Sequence, residues 1–333
     1  MKNQKLHSAP WLYKRTTLII LLTVVFLLSF RVSIQAQFPL TLGKAPSSEK
    51  LQLEPGDTHE GEIVIWNLSE RTTRYHVLVR GFRQVENQPG TAIMLTESEE
   101  ERALYSASSW VTVSREEIDL VPNRNEKIFY TIDVPDDATK GEYYVIIAFL
   151  SDFEYRSIGT AAFTTLGSGT PILIKIGDEF VERAELLSFE SDRNFYEEPK
   201  VKFETAINNV GDTHITPVGE IVLTNIFNQR VGVINFNPGR QSILRENNAV
   251  YETNWDYGSF LTNDRKLVMG PIRANLVITY RTFQPGFAPL TAETTFWILP
   301  WKYIVLALLV IITTIVIIVR SKKKKKETEY LPK

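Results

Sequence analysis

Proton transfer and metal binding near neutral pH fall first to histidine, and this chain has four. Three of them, His59, His76 and His214, lie away from the amino-terminal segment, and no two share a metal-ligand spacing. His59 sits in a polar stretch, His76 on the outward-alternating side of a strand pattern, and His214 in the loop-like stretch from Asn209 to Thr216, so all three read as solvated. Carboxylates cluster at Glu97, Glu99, Glu100 and Glu101, at Asp136 and Asp137, and at Glu197 and Glu198. A glycosidase holds two carboxylates across a cleft, and runs on polar loops do not show that pairing. The EF-hand loop pattern is absent, as are G-x-S-x-G, H-E-x-x-H and a phosphate-cradling glycine loop. There is no cysteine, which removes thiol catalysis and thiolate metal sites. The expectation is a protein with no catalytic residues, no metal and no cofactor.

The remaining candidates are aromatic. Trp110, Trp255 and Tyr257 fall beside turns or strand ends, where rings serve as stacking platforms for sugars, and they are the candidate ligand contacts. The competing reading places a Trp on a sandwich strand in the core.

The elements that would position these residues are strands. Glu62 to Trp66, Tyr75 to Arg80 and Ile128 to Val134 alternate with a period of two, and Tyr143 to Leu150 is apolar almost throughout, as in a central strand. Breaks fall at Pro55-Gly56-Asp57, Asn67 to Glu70, Pro122-Asn123, Pro135-Asp136-Asp137 and Gly141. A turn-rich seam runs through Leu166 to Pro171 and is followed by a strand over Ile172 to Ile176. A second series then covers Val181 to Phe189, Val201 to Asn208, Gly219 to Asn225, Ala249 to Trp255, Arg273 to Tyr280 and Ala292 to Trp297. This pattern predicts an all-β chain of two Ig-like antiparallel sandwiches, residues 37–177 and 178–300. In both halves a strand ends in Asn, and a polar turn leads to the next strand: VIWNLSERTTRYHVLV and ETAINNVGDTHITPVGEIVL.

Two apolar segments flank the sandwiches. Lys2, Lys5, Lys14 and Arg15 precede a charge-free stretch from Thr16 to Phe30, then Arg31 and SIQAQF, the layout of a secretory signal peptide over residues 1–36. Cleavage after Ala36 leaves a mature chain; without cleavage the segment is a signal anchor. At the other end, the uncharged run from Tyr303 to Val319 is closed by Arg320, Lys322, Lys323, Lys324, Lys325 and Lys326. This predicts a stop-transfer helix over residues 301–319, anchored in the two interfaces by Trp297 and Trp301 on one side and by those cations on the other. The expected location is the cytoplasmic membrane, single-pass, with the bulk of the chain extracellular and a basic tail, residues 320–333, in the cytoplasm.

Charge follows the same division. Residues 37–300 carry 24 Lys and Arg against 37 Asp and Glu, a net charge of −13, while the first 36 residues carry +5 and the last 33 carry +6. An acidic exterior excludes nucleic acid as a partner. The absence of cysteine in an exported β-protein favours a bacterial surface, where the cores rely on burial alone.

Over nearly its whole length the chain resembles a known family. LEPGDTHEGEIVIWNLSERTTRYHVLV, SWVTVSREEIDLVPNRNEKIFYTIDVPDDATKGEYYVIIAFL and GTPILIKIG look like the first domain of the two-domain WxL-interacting surface proteins. The Pro-x-x-Ala-x-x-Gly-x-Tyr corner of that family is here Pro135 to Tyr143. ETAINNVGDTHITPVGEIVL and SILRENNAVYETNWD are similar to its second domain. The usual opening strand is replaced by Lys50-Leu51-Gln52-Leu53, and Gln84 to Ser109 diverges. The resemblance implies peptidoglycan binding by the first domain and binding of a partner or host protein by the second.

Two functions are therefore expected. The first is a non-enzymatic, membrane-anchored adhesion protein, with the lipid bilayer and a cell-wall polymer or surface protein as partners. The second is the ectodomain subunit of a membrane assembly or of a signalling or transport complex. The 14-residue tail is too short to fold as a signalling domain.

Overall fold

The computed structural model describes residues 42–156, 169–262, 265–280 and 289–329, with side chains to Arg320 except at position 153. The leader expected over residues 1–36 and the first half of the seam, residues 166–168, lie outside the described residues. So do the side chains of Lys322, Lys323, Lys324, Lys325 and Lys326.

Eleven strands precede residue 177: β1 (Leu42–Ala45), β2 (Glu49–Leu53), β3 (Thr58–Asn67), β4 (Thr73–Arg80), β5 (Phe82–Gln84), β6 (Ala92–Met94), β7 (Val111–Val113), β8 (Glu117–Leu120), β9 (Asn125–Asp133), β10 (Gly141–Ser151) and β11 (Gly169–Ile176). Two short helices, α1 (Glu97–Glu100) and α2 (Asp152–Arg156), lie among them. Eight strands follow: β12 (Ala184–Ser191), β13 (Phe195–Tyr196), β14 (Lys200–Asn209), β15 (Val218–Thr224), β16 (Arg230–Phe236), β17 (Asn248–Asp256), β18 (Gly270–Thr279) and β19 (Leu290–Ile298). The long helix α3 (Trp301–Glu329) comes last.

Sheets of order β1-β3-β9-β7 and β2-β11-β10-β4-β8 form the first sandwich. Sheets β12-β14-β17 and β13-β19-β18-β15-β16 form the second, and β5-β6 is a hairpin apart. The fold is all-β with a terminal apolar helix. It departs from a purely antiparallel arrangement in one respect, at the same place in each half. The opening segment of each sandwich starts antiparallel in one sheet (β1 on β3, β12 on β14). It then crosses over and ends parallel to the last strand of the other sheet (β2 on β11, β13 on β19). Parallel pairing is imposed here because the first and last strands of a sandwich run the same way and share an edge.

Each sandwich has its own core. Ile63, Ile65, Tyr75, Ile128, Tyr130 and Phe149 fill the first, and Phe203, Phe236, Tyr251, Trp255, Ile272 and Phe296 fill the second. The run over β10 is apolar on both faces because both are covered. Tyr143, Val145, Ile147 and Phe149 point into the first core, while Tyr144, Ile146, Ala148 and Leu150 point the other way. That second face packs with Phe82 and Met94 of the β5-β6 hairpin and with Leu244 from the second sandwich. The divergent segment Gln84 to Ser109 supplies much of this cover, and a third hydrophobic cluster thus joins the two sandwiches.

Hydrogen bonds cross the same seam. The Gln84 side chain donates to Asn248 O (2.8 Å) and accepts from Leu244 N (3.0 Å). Gly90 N donates to Ser242 O (2.9 Å), Val250 N to Asn87 O (3.0 Å), and Glu142 N to Asp212 O (2.9 Å).

The span Trp301–Arg320 is 20 residues, long and apolar enough to cross a membrane, and none of it is buried against the rest of the described chain. At about 1.5 Å per residue it measures about 30 Å. The helix continues past the expected end at Val319 to Glu329. Its start is tied to the second sandwich by Lys302 to Glu197 (2.9 Å) and by Leu299 N to Tyr196 O (2.7 Å).

Candidate functional site

Two buried asparagines fold equivalent loops in the two sandwiches, and the second of these loops builds the site. Asn67 ends β3 and Asn209 ends β14, 1% and 0% exposed. Asn67 donates to Arg71 O (2.7 Å) and Leu120 O (2.8 Å) and accepts from Ser69 N (2.9 Å). Asn209 donates to Thr213 O (2.9 Å), Ile243 O (3.1 Å) and Leu244 O (2.9 Å) and accepts from Gly211 N (3.0 Å). Each side chain thus binds an N–H two residues on, a carbonyl four residues on and a carbonyl from across the fold. The repeated strand-end Asn of the sequence is therefore a structural element and not only a turn preference.

The Asn209 loop presents His214 to β10. Glu142, wholly buried, accepts from His214 Nδ1 (2.6 Å), from His214 N (2.7 Å) and from Tyr144 Oη (3.0 Å). Lys50 Nζ lies 3.0 Å from His214 Nε2. An ammonium only donates, so Nε2 is the acceptor and Nδ1 carries the hydrogen that faces Glu142. Burial pushes the Glu142 carboxyl up, but the hydrogen bonds from the His214 ring and backbone N–H and the charge of Lys175 outweigh that and hold it below the usual carboxylate range. Burial and then the neighbouring Glu142 charge push the Tyr144 phenol well above its ordinary value, so it stays a donor.

This cluster floors a cleft of about 620 Å³ between the sandwiches. Three cations line it, Lys50 on β2, Lys175 on β11 and Arg240 in the β16–β17 loop, against two carboxylates, Glu142 and Glu182. Glu142 is already engaged. The walls are Leu51, Leu173, Ile215 and Val218, and Thr279 stands exposed at the rim. The cleft can therefore hold an extended segment that brings its own carboxylate.

The other candidates lie elsewhere. Trp255 is 6% exposed inside the second core, with Tyr257 packed on that core and 6.2 Å from it. Trp110 packs on the first core, 4.5 Å from Tyr143. Trp110 lies in the other sandwich from Trp255 and Tyr257, and the Trp255 ring is enclosed by protein while Trp110 and Tyr257 are half-buried. Trp297 on β19 is 43% exposed with its ring 6.4 Å from Phe195, and Trp301 is 54% exposed at the start of the helix.

None of the three histidines is simply solvated. His59 lies within β3, its Nε2 buried and without a hydrogen-bond partner among the described residues. His76 pairs with Asp152 (2.7 Å) and Glu117 (3.3 Å) and stacks on Tyr155 (4.1 Å). Among the described residues, no group of three or more His, Asp or Glu could hold a metal ion. Lys50, Lys175, Glu142 and Arg240 were not singled out as a site by sequence, because their convergence depends on how two sandwiches meet.

No family model matches the chain, and no curated protein matches it. Solved structures are similar at low identity. The class 5 fimbrial chaperone CfaA matches at 12% identity and a TM-score of 0.36, over 77% of this chain and 98% of that one. The CupB2 chaperone of Pseudomonas aeruginosa matches at 9% and 0.33, over 75% and 98%. The Salmonella enterica SafA pilin in complex with the SafB chaperone matches at 7% and 0.35, over 78% and 99%. These findings correct the resemblance to the WxL-interacting surface proteins: no family model supports that assignment, and the three solved structures named here are fimbrial chaperones or a complex with one. Peptidoglycan binding, and the adhesion protein attached to cell-wall polymer, fall with it.

Proposed function

We propose that the chain is the non-enzymatic ectodomain subunit of a membrane assembly. Its two Ig-like sandwiches, residues 37–177 and 178–300, stand outside the cytoplasmic membrane on the single-pass helix 301–319, with the tail 320–333 inside. They hold a neighbouring protein subunit of that assembly by a carboxylate-bearing segment laid in the cleft between them. One observation carries this reading. On an exported region of net charge −13, Lys50, Lys175 and Arg240 converge on one cleft while its buried carboxylate is consumed by His214. Such a local reversal of sign orients and selects an anionic partner more than it adds raw affinity. The third hydrophobic cluster and the seam hydrogen bonds support a cleft whose two walls keep their spacing.

The test is site-specific photo-cross-linking in membranes of the source cells. A cross-linking residue at Thr279, on the rim, is expected to trap one protein in stoichiometric yield, while the same residue at Val233 on the edge strand β16 traps none of it. Equal trapping at both positions, or none at Thr279, contradicts the reading.

A further inference from the structure

A second cavity, of about 360 Å³, opens between the β5 hairpin, α1 with the loop that follows it, and residues 244–247 of the second sandwich. That size is sufficient for a small ligand. Its floor is apolar and buried: Phe82, Leu95, Tyr144 and Leu244. Its lip is Leu104, which is 78% exposed and has no core to join.

Arg245 lines the same cavity and is 8% exposed. Its guanidinium lies over the Tyr105 ring at 3.7 Å. Among the described residues it makes one long hydrogen bond, Nη1 to Glu142 O at 3.4 Å, Nη2 is 3.6 Å from Glu246 Oε1, and Nε is buried without a partner. Guanidinium has five N–H donors, so this buried cation is mostly unspent. The carboxylates beside it are committed elsewhere. Glu142 serves His214 and Tyr144, and Glu246 is largely exposed and accepts from Tyr105 Oη (2.7 Å). A buried cation short of partners beside an open apolar cavity matches a ligand with an anionic head and an apolar body, since a carboxylate can take two N–H groups at once.

We propose that this cavity binds a single-chain aliphatic carboxylate, its chain against Phe82, Leu95, Leu104 and Leu244 and its head on Arg245. The site is separate from the cleft of the proposed function and stands or falls without it.

The experiment titrates the full chain in phosphatidylcholine nanodiscs with carboxyl-13C octanoate, follows the carboxyl resonance, and subtracts empty discs. Saturable one-to-one binding is expected. Octanol and methyl octanoate should bind about tenfold or more weakly, the usual weight of a hydrogen bond to a charged group. Arg245→Gln should lose octanoate to a similar degree, and Leu104→Asp, a change at an exposed position, should weaken it too. No saturable binding beyond that of empty discs overturns the proposal, as does octanol binding as tightly as octanoate. A leucine-terminated peptide that binds tighter than octanoate as the free acid overturns the aliphatic assignment. Should Arg245→Gln fail to fold by circular dichroism, the comparison of octanoate with octanol on the unsubstituted protein decides.

Discussion

His214 and Glu142, 72 residues apart, meet across the seam of the two sandwiches, with Nδ1 of one 2.6 Å from Oε1 of the other. The pair fixes the floor of the cleft, and Lys50 on the far side of the imidazole fixes its tautomer. A charge in this position is stable only while its three donors are present.

The pH dependence follows from the sign of the Glu142 shift. Its folded value lies below the ordinary 4.5, so the folded state binds this proton less readily than the unfolded chain. Its contribution is complete above the ordinary value and is lost as pH falls through the lower folded value. Thermal unfolding followed from about pH 5 to about pH 3 should show a steeper fall of the midpoint for the wild type than for Glu142→Gln.

Above that window Glu142→Gln should be less stable than the wild type by about 2 kcal/mol. The amide can accept for one donor but turns its own N–H groups toward another. Denaturant unfolding at neutral pH reads this directly, and a change within error would remove Glu142 as the support of the cleft.

Asn67→Ala and Asn209→Ala test the repeated strand-end staple. Each strips buried carbonyls of their donor, and each should cost about 2 kcal/mol or more. They should differ in one readout. Asn209→Ala loosens the loop bearing His214 and so weakens the cleft, whereas Asn67→Ala, at the other sandwich's equivalent corner, leaves partner trapping at Thr279 intact.

Much of the fold was legible because period-two alternation is a local property. Strands expected at Tyr75 to Arg80, Val201 to Asn208 and Ala249 to Trp255 lie within β4, β14 and β17, and the Pro135 to Gly141 corner does lead into the buried β10. Short or switching strands such as β1, β5 and β13 were not legible, since two to four residues carry no period and their pairing is decided by distant edges. The sequence likewise gave no sign that Arg245 Nη1 sits 2.5 Å from where a Gly141 Cβ would be. Gly141, at φ +128°, is needed both for the turn and for that approach. The histidines were misjudged for the same reason: His76 and His214 look solvated along the chain and are paired only in space.

Topology has a direct assay because the chain contains no cysteine. Ser98→Cys should react with a membrane-impermeant maleimide on intact cells, and Ser321→Cys only after lysis. Reaction of both on intact cells would reject the proposed single-pass orientation.

The central claim is that the cations of the cleft hold the partner subunit, and charge reversal tests it most directly. Lys175→Glu combined with Arg240→Glu, in the full chain and with unfolding midpoint checked, should abolish recovery of the protein cross-linked from Thr279. Arg230→Glu, a charge reversal outside the cleft on the edge strand β16, should leave recovery unchanged. Undiminished recovery with the doubly reversed and folded chain would contradict the account.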